Sequence, residues 1–144
     1  MKVTLDASVW LATLTDSEPH HAQSQAAVRR ILEVDARLYQ PEIFAIEVAA
    51  AVARRSGNRA RALQAARLAL AIPGATFDGG GPEATVAAVQ AASTCALRAG
   101  DAHYVATAQR HDAVLISLDA ELCERGGRLV TAMTPATFLA SLGA

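Results

Sequence analysis

Aromatic residues make up only 4% of this 144-residue chain, and Lys2 is its single lysine. A core so short of rings must be filled by smaller side chains, and the abundance of alanine favours closely packed helices over a β-sandwich. Only two cysteines are present, Cys95 and Cys123, in neither a CxxC nor a zinc-like spacing. Reduced, partly buried thiols are expected rather than a disulfide framework. No apolar run approaches the ~20 residues that cross a bilayer. The chain opens on a strand-like pattern rather than a leader, so a cytoplasmic protein with no membrane partner is expected. A net charge of −1 gives no global pull toward nucleic acid.

Acidic residues are also missing from one long stretch. Between Glu47 and Asp78 the only charges are five arginines: Arg54, Arg55, Arg59, Arg61 and Arg67. Solvated helix faces, with cations favoured near a helix C-terminus, account for such a run. A surface for a phosphate backbone is the alternative, with Arg54, Arg55, Arg59 and Arg61 as its contact candidates.

What is present is 52% apolar residue, enough for a substantial core in one domain spanning residues 1–144. Lys2 to Leu5 reads as a buried strand, followed by a helix from Ser8 to Leu14 and another from His20 to Val34. Arg37 to Gln40 reads as a weak strand. Pro41 is suited to open a third helix, because the first turn leaves its missing N–H unpaired anyway. That helix ends near Gly57, and a fourth covers Arg59 to Ala71. Ala75 to Phe77 reads as a short strand and Glu83 to Arg98 as a helix. Gly100 breaks that helix, and Asp101 begins the next, reaching Arg110. Val114 to Leu118 is the clearest internal strand. A short helix, a strand at Arg128 to Val130 and a last helix from Pro135 to Leu142 complete the chain. Alternation of strands and helices predicts an α/β fold: a central parallel sheet flanked by helices in three α/β/α layers.

Four carboxylates stand out against this pattern: Asp6, Glu47, Asp101 and Asp119. Asp6 and Asp119 close apolar strand segments, at the end where open parallel sheets bind ligands. Each aspartate could instead cap the helix that follows it. Glu47 is harder to assign to solvent. Its helical neighbours Ile43, Phe44, Ala50 and Ala51 are apolar, and no Lys or Arg lies within four residues to pair with it. A lone buried carboxylate is costly and must find a partner; a distant arginine or a metal cluster would serve. Ser8 and Ser117 lie two residues from Asp6 and Asp119, placed to line the same pocket or to make ordinary turns. His20 and His21 read as exposed, and His111 as a favourable cation at a helix C-terminus.

At these positions the sequence resembles the PIN-domain family, particularly the small VapC-like toxins of bacterial and archaeal toxin–antitoxin pairs. The matching segments are Val3–Trp10, Pro41–Val48, Leu97–Ala106 and Leu115–Asp119, in order and over almost the whole chain. The resemblance implies an acidic pocket that holds Mg²⁺ or Mn²⁺ and cleaves RNA. Asp6, Glu47, Asp101 and Asp119 would be its metal-binding and catalytic acids, lined by Ser8 and Ser117. It also implies a homodimer and a cognate antitoxin protein. Many relatives carry a larger residue where this chain has Gly100, and an aliphatic one at His103.

The donor chemistry agrees without the family, since hard carboxylate oxygens suit Mg²⁺ or Mn²⁺. Rival readings fail on specific positions. A HAD-type phosphatase needs a second acid where Ser8 stands, and a receiver domain needs a lysine after its last strand. The Asp78–Pro82 loop lacks the Gly-Lys-Ser/Thr of a phosphate-binding loop. A catalytically silent PIN-like module that binds RNA or protein, and an RNA-processing nuclease without an antitoxin, are the remaining alternatives.

Overall fold

The computed structural model describes residues 1–143. Its strands are β1 (Lys2–Leu5), β2 (Arg37–Pro41), β3 (Ala75–Asp78), β4 (Val114–Ile116) and β5 (Ala132–Met133). Its helices are α1 (Ala7–Thr13), α2 (His21–Glu33), α3 (Ile43–Ser56), α4 (Arg59–Leu70), α5 (Pro82–Cys95), α6 (Ala99–His111), α7 (Ala120–Gly126) and α8 (Pro135–Leu142). The strands form one sheet in the order β3-β2-β1-β4-β5, and all four pairings are parallel. The expected α/β architecture is therefore present.

Strand order explains where a ligand can enter. From β1 the chain steps outward to β2 and β3, then returns to the other side of β1 with β4 and β5. The direction of winding reverses between β1 and β4, and a crevice opens beyond the carboxyl ends of strands at such a switch. Both strands are held there by apolar burial: Val3, Leu5, Leu115 and Ile116 are essentially inaccessible to water. Each contributes roughly 1.5–3 kcal/mol on leaving water. On the other side, β1 and β2 pair only through Lys2–Arg37 and Val3–Leu38. Beyond that the buried Gln40 side chain takes over, its Oε1 accepting from the Leu5 N–H at 3.1 Å. The Leu5 N–H is thereby satisfied where the strands diverge.

Three sequence expectations are corrected. Pro41 does not open a helix; it ends β2 in register with Asp78, and α3 begins at Ile43. A proline is tolerated at a strand end, where pairing terminates. The strand expected at Arg128 to Val130 is a turn, with Leu129 and Val130 N–H groups both donating to Gly126 O. Leu129 and Val130 pack against the core from this turn, which gave the segment its strand-like character. Gly100 is inside α6 rather than before it; the break falls at Ala96, which adopts the left-handed conformation (φ 52°).

Cys95 and Cys123 are both free, the first buried and the second partly so. His21 is not exposed as expected: its side chain is 17% accessible, with Nδ1 2.9 Å from Ala12 O. Among the described residues, no helix is long and apolar enough to cross a membrane.

Gly126 marks a close approach of α7 to α6. A Cβ there would lie 2.8 Å from Val105 Cγ2, and Val105 is fully buried and stiff about χ1. Overpacking of this kind costs about 1–3 kcal/mol, more than the ~0.5–1 kcal/mol that alanine recovers in a helix. Gly126→Ala should therefore lower unfolding stability by about 1–2 kcal/mol, read as a reduced urea midpoint at unchanged slope. An unchanged midpoint would show that α6 and α7 can separate freely.

Candidate active site

Asp6 follows β1, and its carboxylate is 7% exposed. It occupies the N-cap position of α1 but makes no side-chain cap bond. Instead Oδ2 accepts from two hydroxyls, those of Ser8 and, at 2.8 Å, of Ser117. The same serines hold the exit from β4. Ser8 Oγ accepts from the Leu118 N–H at 3.2 Å, and Ser117 Oγ accepts from the Asp119 N–H at 2.9 Å. Ser8 and Ser117 thus tie the ends of β1 and β4 together around Asp6.

Glu47 enters from α3, whose Phe44 and Val48 are buried, while Ala50 and Ala51 line the same cleft as Asp6. Its partner is a phenol rather than an arginine. Tyr104, itself 1% exposed on α6, donates its hydroxyl to Glu47 Oε2 at 2.6 Å. Oε1 lies against Gly100, where a Cβ would come within 2.7 Å. The glycine that looked like a helix breaker is the space into which Glu47 reaches.

Asp101 lies in the first turn of α6, where Arg98 is the N-cap residue and no side-chain cap bond forms. Of the three aspartates only Asp119 caps a helix. Its Oδ1 accepts from the Glu121 and Leu122 N–H groups at 2.8 and 3.1 Å. A common design links three of the acids. Asp6 and Glu47 fix one carboxylate oxygen to hydroxyls and Asp119 fixes one to backbone; the other oxygen accepts no hydrogen bond among the described residues. Among the described residues Asp101 is held only by its ion pair with Arg98, at 3.8 Å.

The electrostatics show that the four acids share one field. Burial pushes the proton affinity of Asp6 up, opposed by the Ser8 and Ser117 hydrogen bonds and reinforced by Asp119. Burial likewise raises Glu47, opposed by Tyr104 and reinforced by Asp6 and Asp101. Asp101 is raised by burial, then by Asp119 and Asp6, with Arg98 acting the other way.

A cleft of about 570 Å³ opens over Asp6, Ser8, Glu47 and Asp119. Arg54 and Arg55 of α3 line it, and Arg55 pairs with Glu18 at 2.7 Å. Arg59 and Arg61 are carried by α4; Arg61 borders a neighbouring groove with Leu11, Val52 and Leu68. Three of the four acids, Ser8 and two of the four arginines thus line the cleft; Asp101 and Ser117 are outside its lining, Asp101 joined to Asp119 through Arg98 and Ser117 bonded to Asp6.

Sequence reading missed Tyr104 and Arg98. Both stand three residues from Asp101, the spacing that places side chains on one helix face, and that spacing was the available signal.

The donor set fits a hard divalent cation: oxygen only, negatively charged and mutually repelling. Among the described residues no group of three or more carboxylate, imidazole or thiol side chains is spaced to hold a metal ion directly. Mg²⁺ is usually held by one or two carboxylates and keeps several waters, so the looser spacing is compatible with it.

Raised carboxyl groups have a stability consequence. Above the ordinary carboxyl range the folded chain holds these protons longer than the unfolded chain, so their contribution falls as pH rises through the folded values. In chelator, Asp6→Asn should therefore be more stable than the parent at pH 7, with the gain shrinking toward pH 4. Urea unfolding at both pH values measures it; a variant less stable at pH 7 would contradict the dominance of burial at Asp6.

Comparison with known proteins places this geometry. The PIN domain profile matches residues 3–127. Curated protein sequences give no match. Among solved structures, VapBC-1 from nontypeable Haemophilus influenzae superposes with a TM-score of 0.68 at 15% identity, covering 94% of this chain and 99% of that one. PAE2754 from Pyrobaculum aerophilum gives 0.66 at 21% identity, covering 99% and 98%. Mycobacterium tuberculosis VapC20, a sarcin–ricin loop cleaving toxin, gives 0.66 at 17% identity, covering 86% and 95%. These likenesses agree in fold over nearly the full length of each chain. With the profile match spanning most of its length, this chain belongs to the PIN-domain family.

Proposed function

We propose that this chain is a Mg²⁺- or Mn²⁺-dependent endoribonuclease and the toxin of a toxin–antitoxin pair. The observation that carries the reading is the set of three anchored acids, Asp6, Glu47 and Asp119, each with one oxygen fixed and one left without a hydrogen-bond partner. Side chains held this way are preorganised toward something that binds carboxylate oxygen.

In this reading Asp6, Asp101 and Asp119 are the main metal ligands, directly or through water. Glu47 either ligates or holds the attacking water. A bound divalent cation supplies a water of lowered pKa and neutralises phosphate charge. Ser8 and Ser117 orient Asp6, and Tyr104 orients Glu47. Arg54 and Arg55 bear on the RNA backbone at the cleft mouth, with Arg59 and Arg61 extending the positive surface along α4.

Partners follow from the surface. The groove lined by Leu11, Leu14, Val52 and Leu68 shares Leu11 and Arg55 with the acidic cleft, so an antitoxin segment lying in it would reach the acids. Val86 and Val89 on α5 are 55% and 62% exposed and offer an apolar face to a second copy. Several of the similar structures are complexes named VapBC or FitAB, and VapC20 is named for cleaving the sarcin–ricin loop. These names support an antitoxin partner and an RNA substrate here.

Purified chain should cleave single-stranded RNA with Mn²⁺ and not in chelator. Asp101→Ala should reduce cleavage by more than the roughly 10–100-fold that loss of a supporting residue costs, with circular dichroism unchanged. Undiminished cleavage by Asp101→Ala would sink the site assignment. Expression of the chain alone should arrest growth, and Asp101→Ala should relieve the arrest; arrest-free growth with an active nuclease would remove the toxin role.

A further inference from the structure

Arg98 is an unusual residue for its place. It is the N-cap of α6, a position that favours Ser, Thr, Asp or Asn and whose positive helix end disfavours a cation. Its side chain is 72% exposed and covers no core. What it touches is acid: Nη2 lies 3.3 Å from Glu121 Oε2 and 3.8 Å from Asp119 Oδ2, and Nε lies 3.8 Å from Asp101 Oδ2. Three carboxylates from two helices therefore face one guanidinium.

The atoms involved are informative. Asp119 Oδ1 is committed to the cap of α7, so Oδ2 is the oxygen it can offer to a cation. Oδ2 is the atom Arg98 faces. Asp101 has no hydrogen bond among the described residues and presents its Oδ2 to the same guanidinium. Glu121 also pairs with Arg125 at 3.0 Å, whereas Asp101 and Asp119 share Arg98 alone, one positive charge against two negative ones, so a divalent cation gains by entering between them.

We propose that Arg98 is a tethered counter-ion that competes with the divalent cation for Asp101 and Asp119, and that on displacement it binds an RNA phosphate beside those acids. This rests on the metal-dependent nuclease reading above. A metal ion on Asp119 Oδ2 repels the guanidinium beside it, so metal entry drives Arg98 outward. Its exposed, flexible stem allows that movement. A planar guanidinium suits a phosphate oxygen pair. Arg98 thereby sets the cation concentration at which the site loads and carries charge to the substrate once it has. It is a positioning residue in the first role and a substrate contact in the second.

The test titrates MnCl₂ into the full chain by calorimetry, comparing the parent with Arg98→Gln, Arg98→Lys and, as a control, Arg128→Gln. Arg128 is exposed and lies near the starts of β4 and β5, away from the acids. Arg98→Gln should bind Mn²⁺ about 2- to 10-fold more tightly, as expected for removal of several exposed ion pairs. Arg98→Lys should fall between it and the parent, and Arg128→Gln should match the parent. With the same proteins at saturating Mn²⁺, Arg98→Gln should raise KM for a single-stranded RNA while changing kcat little. Loss of one phosphate contact should also shrink the salt slope of RNA binding by about 0.7. Parent binding of Mn²⁺ with unchanged or weaker binding by Arg98→Gln overturns the counter-ion role alone. An unchanged KM overturns the phosphate contact. A parent that binds no Mn²⁺ overturns both this inference and the metal reading beneath it.

Discussion

A carboxylate as buried as that of Asp6 opposes folding unless its charge is met by hydrogen bonds or a counter-charge. The chain answers with Ser8 and Ser117, one from each side of the β1–β4 switch. Because those serines also accept from the Leu118 and Asp119 N–H groups, the solvation of Asp6 and the routing of the backbone are one network. Moving the exit of β4 would therefore take the acid's hydroxyl partners with it. The position of Asp119, and through its cap the start of α7, depends on the same hydroxyls. Even so, the proton affinity of Asp6 stays raised, so the two hydroxyls do not fully replace water.

The remaining acids are supported by different elements and by different chemistry. Glu47 leans on a buried phenol, Asp119 on two amides at a helix start, and Asp101 on a single exposed guanidinium. Support therefore runs from rigid to mobile around the pocket. Asp101 is the least constrained of the four. Burial raises the two hydroxyl-anchored acids and Asp101, and neighbouring carboxylates add to the rise at each. A fold selected for stability alone would neutralise them.

Much of the fold could be read from sequence because its signals are local. Continuous apolar runs at Val3–Leu5 and Val114–Leu118 declare buried parallel strands, and Gly57 stops α3 in the left-handed conformation that glycine adopts easily. Glu47 was legible for the same reason: an acid among Ile, Phe, Val and Ala is conspicuous on any helical face. Where reading failed, a tertiary fact had decided the matter. Pro41 is compatible with a helix start and a strand end, and only its pairing with Asp78 chooses. Leu129 and Val130 are apolar enough for a strand, yet two bonds to Gly126 O fold them into a turn while both side chains still reach the core. Gly100 looks like a breaker until Glu47 arrives from 53 residues earlier in the chain.

Tyr104 and Arg98 were illegible for a related reason, and the reason bears on how such pockets work. Neither residue type advertises an acid partner: a tyrosine in an alanine-rich helix looks like core, and an arginine before a helix looks like solvent. Both acquire meaning only once Asp101 defines a face of α6, since all three project from neighbouring turns of that helix. Helix α6 therefore acts on the cleft at two depths. At the bottom Tyr104, shielded from water, fixes Glu47 with a short bond that exchange with solvent cannot easily replace. At the rim Arg98 holds its acids at 3.3 to 3.8 Å, distances that water and a competing cation readily disrupt. One helix thus carries a buried contact to Glu47 and an exposed, looser one to Asp101 and Asp119.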